Sequence, residues 1–237
     1  MADYKKIKFA MSGFNPGDAV EFSDIPQPAK KYVPDWYRDT PLLRPDNIDE
    51  PGKRNFKHCM PFADAFFTGY MLTTICDILI DLDQFGKPKI SFPNGMTPFS
   101  SREKYTAGQM PVPEDCHDTH FIWYHPMHIK TPKGYGVLIT HPLNRHDLPF
   151  YSLSGVVDTD IDAMHPGQYP FFLKKNFKGL IPKGTPIVQI IQIKRDNWES
   201  EKDINLLTKD WMEYLFKVRS VFSGFYKKNV WQKKNYI

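Results

Sequence analysis

Residues 129–195 read IKTPKGYGVLITHPLNRHDLPFYSLSGVVDTDIDAMHPGQYPFFLKKNFKGLIPKGTPIVQIIQIKR. Two strand-like runs, 134–141 and 186–194, each follow a Pro-Lys-Gly turn. Between them lies Ser154-Gly155-Val156-Val157-Asp158-Thr159-Asp160, a compact polar centre. Strands, tight turns and a polar centre in this order predict a mainly β fold whose chemistry sits between the strands.

Downstream, Ser200-Glu201-Lys202-Asp203 carries a capping oxygen and early acids that suit a helix start. Ile204, Leu207, Trp211, Leu215, Val218, Phe222 and Phe225 then recur at three- and four-residue steps, which predicts an amphipathic helix over 203–225. Its polar face carries both charge signs, so its apolar stripe suits the core or a partner subunit better than a membrane. The tail 226–237 interleaves four lysines with aromatics and holds no acid. Such a tail is either solvated, docked at an interface, or able to touch phosphate and stack on bases.

Upstream, Ile78, Ile80 and Leu82 alternate with Asp77, Leu79 and Asp81, the pattern of a half-buried strand. Pro93-Asn94-Gly95 marks a tight turn, and 97–113 reads as a loop. Residues 6–11 suit a short first strand. From there to residue 51, Pro16, Pro26, Pro28, Pro34, Pro41, Pro45 and Pro51 break every period, so an extended arm is expected. Val33, Trp36, Tyr37, Leu42 and Leu43 would anchor it to its own core or to a neighbouring subunit. The organisation expected is an arm over 1–60, a core domain over 61–198 and a helix with basic aromatic tail over 199–237.

Composition limits the function classes. The 237 residues can bury a real core without disulfides, and 21 prolines with 15% aromatics favour short strands and rigid connections. A net charge of +4 is too small to mark a nucleic-acid binder. Cys59, Cys76 and Cys116 are odd in number and form no C-x-x-C pair, which fits a reducing cytoplasm. No apolar run suits a signal core or a membrane span, so a soluble protein without a membrane partner is expected.

Residues 116–128 hold four of the eight histidines: His117, His120, His125 and His128. On one continuous strand, His120 and His128 would share one face and His117 and His125 the other. Convergence on a metal would need a bend, with Asp115, Cys116 and Asp118 as further ligands; otherwise these are structural or surface histidines.

The order of motifs resembles the trimeric dUTPase and dCTP deaminase superfamily, the β-clip fold. Gly155-Val156-Val157-Asp158-Thr159-Asp160 looks like its G-V-I-D-x-D motif, Gly184 to Gln189 its G-x-x-I-x-Q strand, and Thr68-Gly69-Tyr70-Met71-Leu72 its A-G-Y-D-L motif. The resemblance implies a distorted barrel with the Pro-rich arm and C-terminal helix as additions, and a homotrimer. It implies Asp158 as the base for an attacking water, with Asp160 beside it. Around them, His141, Asn144 and Arg145 would occupy the phosphate-contacting P-R-S-G position, and Tyr70 and Gln189 would line the ligand site. Met71 replaces the family's acid, Ile161 its deoxyribose-packing tyrosine, and no glycine-rich motif covers the C-terminus. Ordinary dUTP hydrolysis is therefore not expected.

The whole chain is also similar to a group of proteins from tailed phages of marine bacteria and some bacterial genomes. Cys59-Met60-Pro61-Phe62, Thr131-Pro132-Lys133-Gly134-Tyr135 and His141-Pro142-Leu143-Asn144-Arg145 carry that likeness. It implies an accessory or virion component, located in a host cytoplasm or in the particle, with itself and assembly proteins as partners. Two alternatives stay open: a nucleotide phosphohydrolase or deaminase using Asp158, with magnesium as its ion, and a metal-dependent enzyme using the histidine cluster.

Overall fold

The computed structural model of the chain describes residues 4–11, 25–42, 55–101, 111–161, 167–206, 210–219 and 224–237. In chain order the strands are β1 (Lys8–Met11), β2 (Gln27–Pro28), β3 (Tyr70–Thr73), β4 (Ile78–Leu82), β5 (Pro88–Ser91), β6 (Phe99–Ser101), β7 (Phe121–His125), β8 (Met127–Lys130), β9 (Tyr135–Thr140), β10 (Phe150–Ser152), β11 (Gly155–Val157), β12 (Gly167–Leu173), β13 (Gly179–Ile181) and β14 (Pro186–Lys194). The α-helices among the described residues are α1 (Asp35–Asp39), α2 (Met60–Phe67) and α3 (Trp211–Arg219). The fold is mainly β.

Four antiparallel sheets form among the described residues, ordered β11-β9-β14-β3-β2, β10-β12-β7-β6, β13-β4-β5 and β1-β8. They remain open, and no closed barrel forms among those residues. β14 is the hub because it pairs with β9 on one side and β3 on the other, Ile190 facing both Ile139 and Tyr70 in register. Its residues Pro186 to Ile190 are all buried, so the continuous apolar run in the sequence reflects cover on both faces.

The core is aromatic. Trp123 lies flat on Phe171, ring centres 3.9 Å apart, while Phe99 and Phe150 meet Trp123 edge-on. Each such ring pair adds about 1 kcal/mol beyond its area burial. A smaller cluster of Tyr37, Ala63 and Phe66 joins α1 to α2. Pro61 starts α2 where its missing N–H is harmless, and Thr68 closes the helix by bonding the Asp64 carbonyl through both N–H and Oγ1. Gly69 follows with a φ of 75°, and a Cβ there would lie 2.1 Å from the Ile190 carbonyl oxygen. Only glycine lets α2 turn so closely into β3.

Several expectations are corrected in detail. The expected first strand is present as β1, which pairs with β8, and β2 forms an edge strand on β3, but the Pro-rich arm is not extended throughout its described parts because α1 packs on α2. Pro28 is tolerated in β2 because an edge strand leaves one side of its backbone unpaired. Pro16, Leu43, Pro45 and Pro51 lie outside the described residues. Within the expected loop 97–113, Phe99–Ser101 adds an edge strand to β7.

The expected helix 203–225 is shorter. Asp203 accepts a hydrogen bond from the Asn205 N–H at 2.8 Å and closes a local turn instead of capping a helix. The described helix begins at Trp211, and Leu207 and Phe222 fall outside the described residues. No described helix is long and apolar enough to cross a membrane.

Candidate functional site

Asp158 and Asp160, and His141, Asn144, Arg145 and Gln189, gather in two networks at opposite ends of β9. At its start, the Arg195 guanidinium bonds the Asp158 carboxylate at 2.8 Å and also pairs with Asp160. The Gly134 N–H donates to the Asp160 Oδ2 at 2.8 Å. That backbone donor, opposed by burial and helped by Arg195, holds the Asp160 carboxyl below its ordinary pKa. Between the two acids, Thr159 bonds Thr131 through both backbone and hydroxyl, so the loop is stitched to the turn before β9.

This end is half open. The Asp158 side chain is 57% exposed and that of Asp160 only 5%. The Asp160 Oδ1 is buried without a hydrogen-bond partner. Arg195 was not singled out from the sequence: it lies 37 residues from Asp158, and only the β9–β14 pairing brings it there.

At the other end, Asn144 adopts a φ of 60° in a turn closed by the Arg145 N–H on the Pro142 carbonyl. The Ser152 N–H donates to His141 Nδ1 at 3.2 Å, which leaves Nε2 carrying the proton and donating to the Arg145 carbonyl at 2.9 Å. Burial pushes the His141 pKa down to about 4, against the opposing pull of that carbonyl. The imidazole is neutral at pH 7 and fully paired.

The Arg145 side chain grips Asp147 through Nε and Nη2 and donates to the Tyr32 carbonyl. Burial pushes the Asp147 pKa up, but the bond and charge of Arg145, with a backbone donor and Trp36, together outweigh it and hold the carboxyl below its ordinary value. Trp36 Nε1 reaches the same carboxylate at 3.4 Å. Arg145 therefore ties the turn to the N-terminal segment and offers no free fork to a phosphate.

Gln189, fully buried on β14, accepts from the Leu143 N–H and donates to the Ala65 and Thr68 carbonyls at 2.9, 2.9 and 2.6 Å. These are carbonyls that the end of α2 leaves without intrahelical partners. Tyr70 meets Phe9 and Tyr236 edge-on and donates to the Ile237 carbonyl. The tail thus docks on its own chain, where Trp231 Nε1 and Lys234 Nζ both bond Asp64.

Asp158 and Asp160 converge with each other; His141, Asn144, Arg145 and Gln189 form the second group. Five residue steps of β9 separate the two by roughly 17 Å, too far for one small ligand to bridge within a chain. The nucleotide enzyme's magnesium finds a poor donor set: Met71 presents a buried thioether where the resemblance calls for an acid, and Arg195 already engages both nearby carboxylates. Magnesium requires oxygen ligands.

The four histidines are divided by Pro126, where β7 ends and β8 joins a different sheet. His125 is buried on the core side of β7 with neither ring nitrogen bonded, and burial pushes its pKa down to about 4. The His120 ring lies tilted beside Phe172, and His128 is the register partner of Ala10 on β1. Burial pushes the Cys116 thiol up to about 11, so it stays protonated at neutral pH. No group of three or more His, Cys, Asp and Glu side chains among the described residues is arranged to hold a metal ion. The chain matches no protein-family model and no curated protein.

Proposed function

We propose that this chain is a self-associating, β-clip-like protein used for assembly, a dUTPase-like scaffold without ordinary dUTPase activity and of the kind suited to a phage accessory or virion component. One observation carries the reading: the polar groups with which such a scaffold would grip a nucleotide are consumed internally. Arg145 is spent on Asp147 and Tyr32, His141 on two backbone groups and Gln189 on three. A guanidinium fork, imidazole or carboxamide already engaged by internal partners has little left for a ligand.

Light scattering on the full chain in dilute solution tests the reading; a stable monomer sinks it. A panel of nucleoside triphosphates with magnesium or manganese is the companion assay, and no turnover is expected.

A second reading, a nucleotide phosphohydrolase acting through Asp158, draws on the exposure of that carboxylate. Turnover in the panel that disappears in Asp158→Asn would favour it.

A further inference from the structure

We infer that His125, Met127 and Met11 form a binding site for a soft monovalent metal ion, copper(I) being the ion their chemistry selects. The set shares one histidine with the 116–128 cluster and takes its other two donors from thioethers.

The imidazole is the first ground. His125 is 3% exposed, and neither of its ring nitrogens has a hydrogen-bond partner. A buried polar group left unmatched is costly, so a ring kept in that state calls for a role outside the fold's own hydrogen bonding. Neutral at pH 7, it carries a lone pair on one nitrogen. His128 also has both ring nitrogens buried and unmatched. It alternates with Met127 and Ile129, which pack on the core, so its side chain belongs to the other side of β8.

The neighbours are the second ground. Met127, two residues on and 1% exposed, shares the core side with His125, and the half-buried Pro126 stands between them. Met11 is the register partner of Met127 across β1 and β8 and packs on the same core cluster. Paired antiparallel residues hold their Cβ atoms roughly 5 Å apart, and two residues of extended chain span about 7 Å. One imidazole and two flexible thioethers thus stand within reach of a single ion.

The donor set names the ion. Thioether sulfur is soft and polarizable, which favours copper(I) over magnesium, calcium or manganese, and an uncharged set in a dry interior suits a single positive charge better than two. The nearby phenol adds no anion: Tyr169 Oη lies 3.2 Å from where a Cβ would stand on Gly167, the register partner of His125, and burial keeps that phenol protonated. Entry runs through β1. This strand has four residues and pairs with β8 alone among the described strands, so its release uncovers Met127 and withdraws Met11. A bound ion would fasten β1 to the core.

Copper(I) alone, kept reduced and offered to the full chain in competition with a chromogenic copper(I) chelator, tests the inference. The chain should hold a single ion, and Met11→Leu, Met127→Leu and His125→Leu should each weaken its hold about tenfold or more. Leucine nearly conserves the volume of methionine, so the two methionine variants keep the test open if the histidine variant fails to fold. His128→Leu and replacement of the exposed thiol, Cys59→Ser, should leave binding unchanged. Copper should also slow amide hydrogen exchange over residues 8–11, which an ion adsorbed elsewhere would not do. No copper held against the chelator, a hold unchanged in either methionine variant, a hold lost in Cys59→Ser or His128→Leu, or exchange at β1 unchanged by copper would each overturn the site.

Discussion

The two ends of β9 carry similar polar residue types and treat them differently. At the His141 end a buried imidazole, a buried carboxamide and a mostly covered guanidinium are each matched to internal partners. At the Asp158 end one carboxylate is half open, one is covered with an oxygen unpaired, and a single guanidinium serves both. Buried polar groups stabilise a fold only when fully satisfied, whereas exposed pairs add little. The His141 end should therefore behave as core, and the Asp158 end as a surface fastening where β14 ends.

Acid gives the largest expected contrast. His125 and His141 both have pKa values near 4 when folded, below the ordinary 6.5. The unfolded chain then binds protons that the folded chain refuses, so stability falls as pH drops from 6.5 towards 4; below that the histidines add no further loss, and the lowered Asp147 and Asp160 carboxyls continue it. Each histidine contributes up to about 1.4 kcal/mol per pH unit in that window. Urea midpoints across pH should show the fall, and His125→Leu should remove one histidine's share of the slope. A flat profile in the native protein would break the assignment of these rings to a dry interior.

Next in size is Gln189→Leu, which strands the Leu143 N–H and the Ala65 and Thr68 carbonyls. At about 1 kcal/mol or more for each buried unsatisfied group, a loss near 3 kcal/mol is expected in denaturant titration. Arg145→Ala should cost about 1–2 kcal/mol by freeing Asp147 and the Tyr32 carbonyl, and Arg145→Lys should not rescue it fully because a point charge cannot reproduce the fork. Smallest is Arg195→Gln, because its partner Asp158 is open to water and the covered Asp160 keeps the Gly134 N–H; its midpoint should move less than that of any variant at the other end. A reversed order, with Arg195 outweighing Gln189, would show that the half-open end is the structural one.

The legible part of the fold was its period-two strands. β4, β9 and β14 follow from alternation or from an apolar run bounded by Pro-Lys-Gly turns, because burial of a strand face is a local property of sequence. β12 gave no such signal: Pro170 interrupts it, and its place between β10 and β7 is fixed by distant partners. The break at Pro126 was visible as a residue, yet its consequence, two sheets in place of one strand, depends on β1 arriving to pair with β8. Helix α3 was found by its spacing, while its start was misjudged because Asp203 had a nearer amide to bond.

For the polar residues, chemical type could be read and role could not. His141, Arg145 and Gln189 look like ligand-binding groups until Ser152, Asp147, Tyr32, Ala65 and Thr68 fill their valences. Those partners stand at separations that no motif spells out, from Asp147 two residues away to Ala65 more than a hundred. Arg195 and Asp64 escape sequence reading for the same reason.

The central claim is that this chain associates with itself and that its polar centre serves architecture. Light scattering coupled to size separation, on the full chain at low concentration, tests it most directly. The account predicts a particle of at least twice the 27.7 kDa chain mass. A stable 27.7 kDa species would contradict it.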